Sequence, residues 1–363
     1  MAELQVNVGA ARFNVERLRA RCGRASQVML VSKSDFYGLG LDLAADLEAS
    51  VDLFAVSSLE ESLALESLTA SKDIAVLYPP TPGQGLAKLL AGCLIHRRIV
   101  PTLLPTPAYA AQLRADLAGT PGSPLECYVL VPQTGDRFWS DASWPDVLAD
   151  LLSRPELAVR GAFTHFAEAH LLDPVDVKGR IAEFLRDMHR RWPDLPLSVS
   201  DSFLAGQGQG TELAFCRVGL LPLAAVEPSA VAAYGLRTVL TLKARVINSY
   251  VLPRASRIGY CRRVLAGGTA AAILDIGFAS GLPFEFFRHC SATAPDGRAY
   301  PFVETPWMEY SCILTGDELL PVGTEVELFG ETQSVSVQAE HAGLPVEALF
   351  LHLSRVPRGI VER

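Results

Sequence analysis

The sequence predicts an α/β fold followed by a separate β-rich domain, and three observations carry that expectation. Short apolar runs alternate with segments of helical period over residues 1–230, as βαβ units do. About eight such units either close as a barrel or lie as a doubly wound sheet. Beyond Ala230 the helical period fades and apolar and polar residues alternate, so residues 231–363 form a domain of their own. A chain of 363 residues, 49% of them hydrophobic, is also longer than one ordinary core requires and can fill two.

In chain order, residues 3–8 alternate as a short strand able to pack with the β-rich domain, and Ala10 to Arg21 repeats apolar residues at helical spacing with arginines opposite. Val28 to Val31 is a buried strand, and a turn containing Tyr37-Gly38 and Gly40 follows it. Leu41 to Ala49 reads as helix, Leu53 to Val56 as strand, Glu60 to Leu68 as helix, Ile74 to Tyr78 as strand and Gly85 to Cys93 as helix. Ile99-Val100, Leu125 to Val131, Val159 to His165 and Leu195 to Val199 continue the strands, with helices at Pro107 to Leu117, Trp144 to Leu152 and Asp176 to Trp192. In the second domain Val239 to Ile247, Ala271 to Ile276, Arg298 to Val303, Glu325 to Phe329 and Ser334 to Val337 read as strands.

Composition removes several function classes. The net charge of −8, without a basic cluster, disfavours nucleic acid and anionic membranes as partners. The N-terminal residues lack a positive segment followed by an apolar one, and no long apolar stretch spans a membrane. Seven scattered cysteines without a Cys-x-x-Cys pair argue against a disulfide framework or a zinc site and point to reduced thiols in a cytoplasm.

Chemistry collects where the strands of the first domain end. Val28 to Val31 delivers Lys33 to the mouth of an apolar strand, where desolvation disfavours the ammonium and frees the amine to attack a carbonyl. Tyr37 follows Lys33 after the same strand, Arg137, His165, Ser202 and Arg217 stand where other strands should end, and active sites of such barrels lie at that end. Each alone has an ordinary reading: a lysine snorkels, a lone histidine is a hydrogen-bonded structural residue. Gly206-Gln207-Gly208-Gln209-Gly210 is too tightly spaced for a dinucleotide fingerprint and reads as a flexible loop, and phosphate-loop, Gly-x-Ser-x-Gly and His-Glu-x-x-His signatures are missing.

The order of these residues resembles a family. Val31-Ser32-Lys33-Ser34-Asp35-Phe36-Tyr37-Gly38-Leu39-Gly40 is similar to the pyridoxal-phosphate lysine motif of alanine racemases, Val-Lys-Ala-Asn-Ala-Tyr-Gly-His-Gly. Gln133 to Arg137, Gly161 to Ala167, Ser200-Asp201-Ser202, Arg217-Val218-Gly219, Arg257-Ile258-Gly259-Tyr260, Ile276 to Gly281, Trp307-Met308-Glu309 and Ser354 to Arg358 follow in the family's order. The resemblance implies a (β/α)8 barrel with a C-terminal β domain, a head-to-tail homodimer and an amino acid as small-molecule substrate. It implies that Lys33 holds pyridoxal phosphate as an aldimine and that Tyr37, Ser202, Gly219 and Leu220 bind its phosphate. Arg217 would donate to the pyridine nitrogen, weakening the electron sink, while Arg137 would lie near the phenolic oxygen and the substrate carboxylate. Lys33 and the partner subunit's Tyr260 would serve opposite faces of the α-carbon. A phenol ordinarily keeps its proton to about pH 10, so His165 and Arg217 would assist.

The departures fall around this set. Glu309 after Met308 stands for an aspartate at the substrate entrance, Phe278 and Ser354 for tyrosines of the site wall, and Ser280 and Asp201 for an aspartate and an asparagine. Val131 falls where a supporting lysine stands, and Ser198 where a histidine would support the pyridine-facing arginine. The lost hydroxyls and ring imply a substrate range altered from alanine. A pyridoxal-phosphate decarboxylase or other lyase on the same fold is the alternative, disfavoured by the missing Gly-rich phosphate segment and by Tyr260. A non-catalytic pyridoxal-phosphate-binding protein is disfavoured by the β domain.

Overall fold

The computed structural model describes residues 2–22, 26–117, 124–133, 143–166, 173–199, 201–207, 213–226, 228–260 and 263–362. It divides into two compact units: Val15–Phe36 with Leu41–Leu221, and Met1–Asn14 with Tyr37–Gly40 and Pro222–Arg363.

After β1 (Glu3–Asn7), the first unit carries β2 (Gln27–Val31), β3 (Leu53–Val56), β4 (Asp73–Val76), β5 (Ile99–Leu103), β6 (Leu125–Leu130), β7 (Leu157–Phe163), β8 (Leu197–Ser198) and β9 (Phe215–Val218). They pair in the order β8-β7-β6-β5-β4-β3-β2-β9, all parallel. The two ends of that order meet where the Ala214 N–H donates to the Leu197 carbonyl at 3.1 Å, so the sheet nearly closes on itself. Packing gives the same answer. Met29, Ala55, Ala75, Val100, Tyr128, Phe163 and Phe215, from strands around the whole sheet, share one buried cluster. Tyr128 and Phe215 lie on strands that are not neighbours, yet their rings are 5.3 Å apart across the interior. Alternate strand residues face outward onto helices such as Leu59–Leu68, Gln84–Ile95 and Pro107–Leu117, where Leu86, Leu89, Leu113 and Cys127 form a second buried layer. The barrel expectation holds. The short β9 went unread in the sequence because its Phe-Cys-Arg-Val run has no alternation to mark it.

The second unit is built on an eight-stranded sheet. It comprises β1, β10 (Leu240–Val251), β11 (Ala270–Leu274), β12 (Ser291–Thr293), β13 (Ala299–Pro301), β14 (Ser311–Gly316), β15 (Glu325–Phe329) and β16 (Arg358–Val361). N-terminal β1 lies between β10, antiparallel, and β16, parallel. The strand read at Ser334 to Val337 is corrected: Val335–His341 is a helix. Its Ser-Val-Ser-Val start mimics a strand, but Ser334 caps the helix by accepting from the Val337 N–H at 3.3 Å, and Val335, Gln338 and Ala339 bury one face at helical spacing. Helices Phe284–His289 and Val346–Leu353 also belong to this unit, which is therefore less purely β than its alternation suggests.

The six described cysteines are free thiols, all buried, while Cys261 lies outside the described residues. No described helix is long and apolar enough to cross a membrane.

Candidate active site

Lys33 follows β2 and is half-buried, with its Nζ 3.0 Å from the Tyr78 hydroxyl, which follows β4. The turn after Lys33 is left-handed: Ser34, Asp35, Phe36 and Tyr37 have φ of 55°, 54°, 49° and 57°. Four such L-residues in succession are costly, about 1–2 kcal/mol each, and the local structure compensates. The Phe36 N–H donates to the Ser32 carbonyl at 3.0 Å with its ring fully buried, and the Asp35 carboxylate accepts from the Leu41 N–H at 2.9 Å. The sequence marked a turn here; its handedness lies beyond any local pattern.

At the other strand ends the barrel sets a buried cation among oxygens. Arg217, in β9, is 6% exposed. It donates through Nη2 to the Thr164 carbonyl at 2.6 Å and lies 4.6 Å over the Phe163 ring. Its Nε has no hydrogen-bond partner among the described residues. Burial lowers the guanidinium to about 10, opposed by the charge of Asp201, and leaves it cationic at neutral pH. Asp201 also stands 3.3 Å from His165 Nδ1, so the residue where the family resemblance places an asparagine holds the histidine after β7. Ser202, beginning the turn after β8, accepts from the Gly219 N–H at 2.9 Å and the Leu220 N–H at 3.1 Å. Two backbone N–H groups thus converge on one hydroxyl beyond β8 and β9 and leave that hydroxyl's own proton to donate to an anion. Lys33, Tyr78, His165, Asp201, Ser202, Arg217, Gly219 and Leu220 all follow or end parallel strands and share the barrel's C-terminal end. Arg137 lies outside the described residues, as do Gly208 to Gly210. Val131, buried, donates its N–H to the Phe163 carbonyl at 2.8 Å, and the buried Ser198 hydroxyl has no partner among the described residues.

The second unit gathers the remaining sequence-predicted residues. Tyr260, Met308 and Glu309 line a cavity of about 330 Å³ with Ile273, Trp307 and Tyr310, and Tyr260 is 63% exposed. The Phe278 and Ala279 N–H groups donate to the Trp307 and Met308 carbonyls at 3.2 and 2.8 Å, and the Phe278 ring stacks on Phe284 at 5.0 Å. Gly281, at φ +105°, leaves space that a Cβ would fill to within 2.1 Å of the His352 carbonyl, so this loop packs onto the segment carrying Ser354. Ser354 donates to the Leu351 carbonyl at 2.9 Å. Buried Tyr37 enters the same unit through Gly38, φ +82°, whose backbone sits against Phe350 and Leu351. Sequence reasoning left Tyr78 unmarked as a site residue. A tyrosine ending an apolar strand reads as core, and the one local signal was the Pro79-Pro80 pair that fixes the strand's exit.

A barrel with a lysine, an arginine and a histidine at its strand ends, joined in sequence to a β domain, has the arrangement of an enzyme active site. Comparison with known proteins narrows it. The family profile described as "Alanine racemase, N-terminal domain" matches residues 6–221, and that described as "Alanine racemase, C-terminal domain" matches residues 239–360. The chain belongs to the alanine racemase family and is an isomerase of the racemase class. An alanine racemase of Nitrosococcus oceani is 29% identical over 97% of both chains, and a catabolic alanine racemase of Pseudomonas putida is 26% identical over 99% of both. The crystal structure of a Clostridium difficile alanine racemase in complex with cycloserine superposes with a TM-score of 0.82 at 20% identity, covering 100% of this chain and 96% of that one.

Proposed function

We propose that this chain is a pyridoxal-phosphate-dependent amino-acid racemase in which Lys33 and the partner subunit's Tyr260 exchange protons with opposite faces of the substrate α-carbon. One observation carries the cofactor assignment: a buried, charged guanidinium whose Nε has no hydrogen-bond partner among the described residues. A buried donor calls for an acceptor, and an unprotonated pyridine nitrogen fits it. The Ser202 hydroxyl, its oxygen held by the Gly219 and Leu220 N–H groups, fits the phosphate as a donor.

When bound, pyridoxal phosphate supplies an aldehyde carbon that joins to amines and a conjugated ring that spreads the electron pair left at the α-carbon. The chain's own residues do the rest. Arg217, cationic at neutral pH, would donate to the ring nitrogen without protonating it, which would limit how far that charge is drawn in. Lys33, as a free amine, would take or return a proton on one face of the α-carbon. Tyr260, largely exposed on its own chain, is available to a partner and serves the other face. His165, held by Asp201, supports that exchange, and Arg137 takes the substrate carboxylate. A head-to-tail homodimer is the assembly this division of labour requires. With Phe278, Glu309 and Ser354 in place of two tyrosines and an aspartate, the substrate range is altered from alanine.

The test is chiral analysis of single amino acids incubated with the protein in deuterated water. Racemisation places deuterium at the α-carbon with inversion, and at least one amino acid larger than alanine turns over no more slowly than alanine. Loss of carbon dioxide would favour a decarboxylase. Absence of any change would reduce the chain to a binding protein.

A further inference from the structure

We propose that Tyr78 is a positioning residue for the racemase reaction: its hydroxyl holds the Lys33 amine whenever that amine is free, accepting from it when it carries a proton and donating to it when it does not. The inference rests on the functional reading above and extends it to a residue outside the family resemblance.

The geometry is specific. The Tyr78 oxygen lies 3.0 Å from Lys33 Nζ, and the same nitrogen sits 5.5 Å from the centre of the Tyr78 ring. The ring packs against the cluster inside the barrel, so its direction is set by the core. Its backbone is set as well. The Leu77 N–H donates to the Val56 carbonyl at 2.8 Å, Pro79 confines Tyr78 to an extended conformation, and the Tyr109 hydroxyl donates to the Pro80 carbonyl. A fixed phenol therefore meets a lysine with four rotatable side-chain bonds, and the phenol is the anchor.

The chemistry of the reaction calls for such a partner. A lysine exchanging protons at the α-carbon alternates between amine and ammonium in one place. A carboxylate beside it would pair with the ammonium and hold it there; a phenylalanine would offer nothing. A phenol accepts from the ammonium and donates to the amine lone pair without adding charge. The proton that Lys33 removes from the α-carbon stays on Nζ until it is returned, and Tyr78 neither gains nor loses one.

The experiment compares wild type, Tyr78→Phe and Tyr78→His in two measurements. The first is the rate at which protein stripped of cofactor regains the visible absorbance of lysine-linked pyridoxal phosphate when it is added back. The second is the rate of α-proton exchange with deuterated water, measured separately for each enantiomer. The enantiomer whose exchange survives in Tyr260→Phe is the one served by Lys33. Tyr78→Phe keeps the ring and its packing, and it slows both reloading and exchange of that enantiomer by about tenfold or more while the other enantiomer changes less. Tyr78→His, which can accept and donate, recovers part of both. Wild-type reloading in Tyr78→Phe, equal losses for both enantiomers, or equal impairment in Phe and His variants would overturn the proposal. If wild type itself never gains the absorbance, or Lys33→Ala still does, the functional reading fails instead.

Discussion

Arg217 is where stability and function pull apart at the level of single residues. Burial disfavours its charge, so the folded chain holds this proton less tightly than the unfolded chain, which binds more protons between about pH 10 and the unfolded value above 12. The sign follows: Arg217 opposes folding at neutral pH, and that opposition fades as pH rises through about 10. Replacing it with methionine, which fills similar space, is expected to leave cofactor-free protein melting at or above the wild-type temperature despite the lost bond to Thr164. Added pyridoxal phosphate then raises the melting temperature of wild type more than that of Arg217→Met. A variant that loses stability without cofactor and gains as much from it would contradict the role given to this arginine. Lys33 was legible in the sequence because it is a cation placed at the end of an apolar strand, a costly position that demands a reason, whereas Arg217, on a strand the pattern did not reveal, was marked through the Arg217-Val218-Gly219 match. Tyr78 was not, because a phenol half inside a core is an ordinary sight and its value lies in one oxygen. Asp201 was visible only as a departure, since its partner His165 comes from a different strand end.

At the level of elements, the parallel strands were easy to read because burial on both faces makes them continuous apolar runs, as in Val28 to Leu30 and Leu53 to Val56. The second unit was harder. Ser334 to Val337 alternates like a strand yet begins a helix, because the capping serine and the burial of Gln338 outweigh the local pattern. Gln338 is fully buried and donates through Nε2 to the Ser291 and Leu328 carbonyls at 3.0 and 2.6 Å, tying this helix to β12 and β15. Gln338→Leu strands those two acceptors and is expected to cost about 2–4 kcal/mol in urea unfolding. A loss under about 0.5 kcal/mol would show that the helix is held by its apolar face alone. The left-handed turn at Ser34 to Tyr37 was illegible for a different reason: no propensity favours it, and it persists through contacts with Ser32, Leu41 and Glu61.

For the whole molecule, the thiols provide a pH signature. Burial pushes Cys93, Cys127 and Cys290 up to about 12, and the Cys22 thiol is raised by its bond to Cys216, 3.0 Å away, and by burial. Their folded forms keep protons that the unfolded chain releases above about pH 8.5, so stability falls as pH rises from there toward 12. The urea midpoint is expected to drop between pH 8 and pH 10, and Cys93→Ala with Cys127→Ala is expected to flatten that drop. An unchanged slope in the double variant would assign the pH dependence to other groups. The same burial keeps these thiols unreactive toward alkylating reagents until the chain unfolds.

The account rests on Lys33 at the end of β2, and one measurement addresses it most directly. Protein loaded with pyridoxal phosphate is reduced with borohydride, digested, and mapped by mass spectrometry. A single pyridoxyl adduct on the peptide containing Lys33 is the predicted result. An adduct confined to Lys72, Lys88, Lys178 or Lys243, or no adduct at all, would contradict the assignment of this strand end as the catalytic centre.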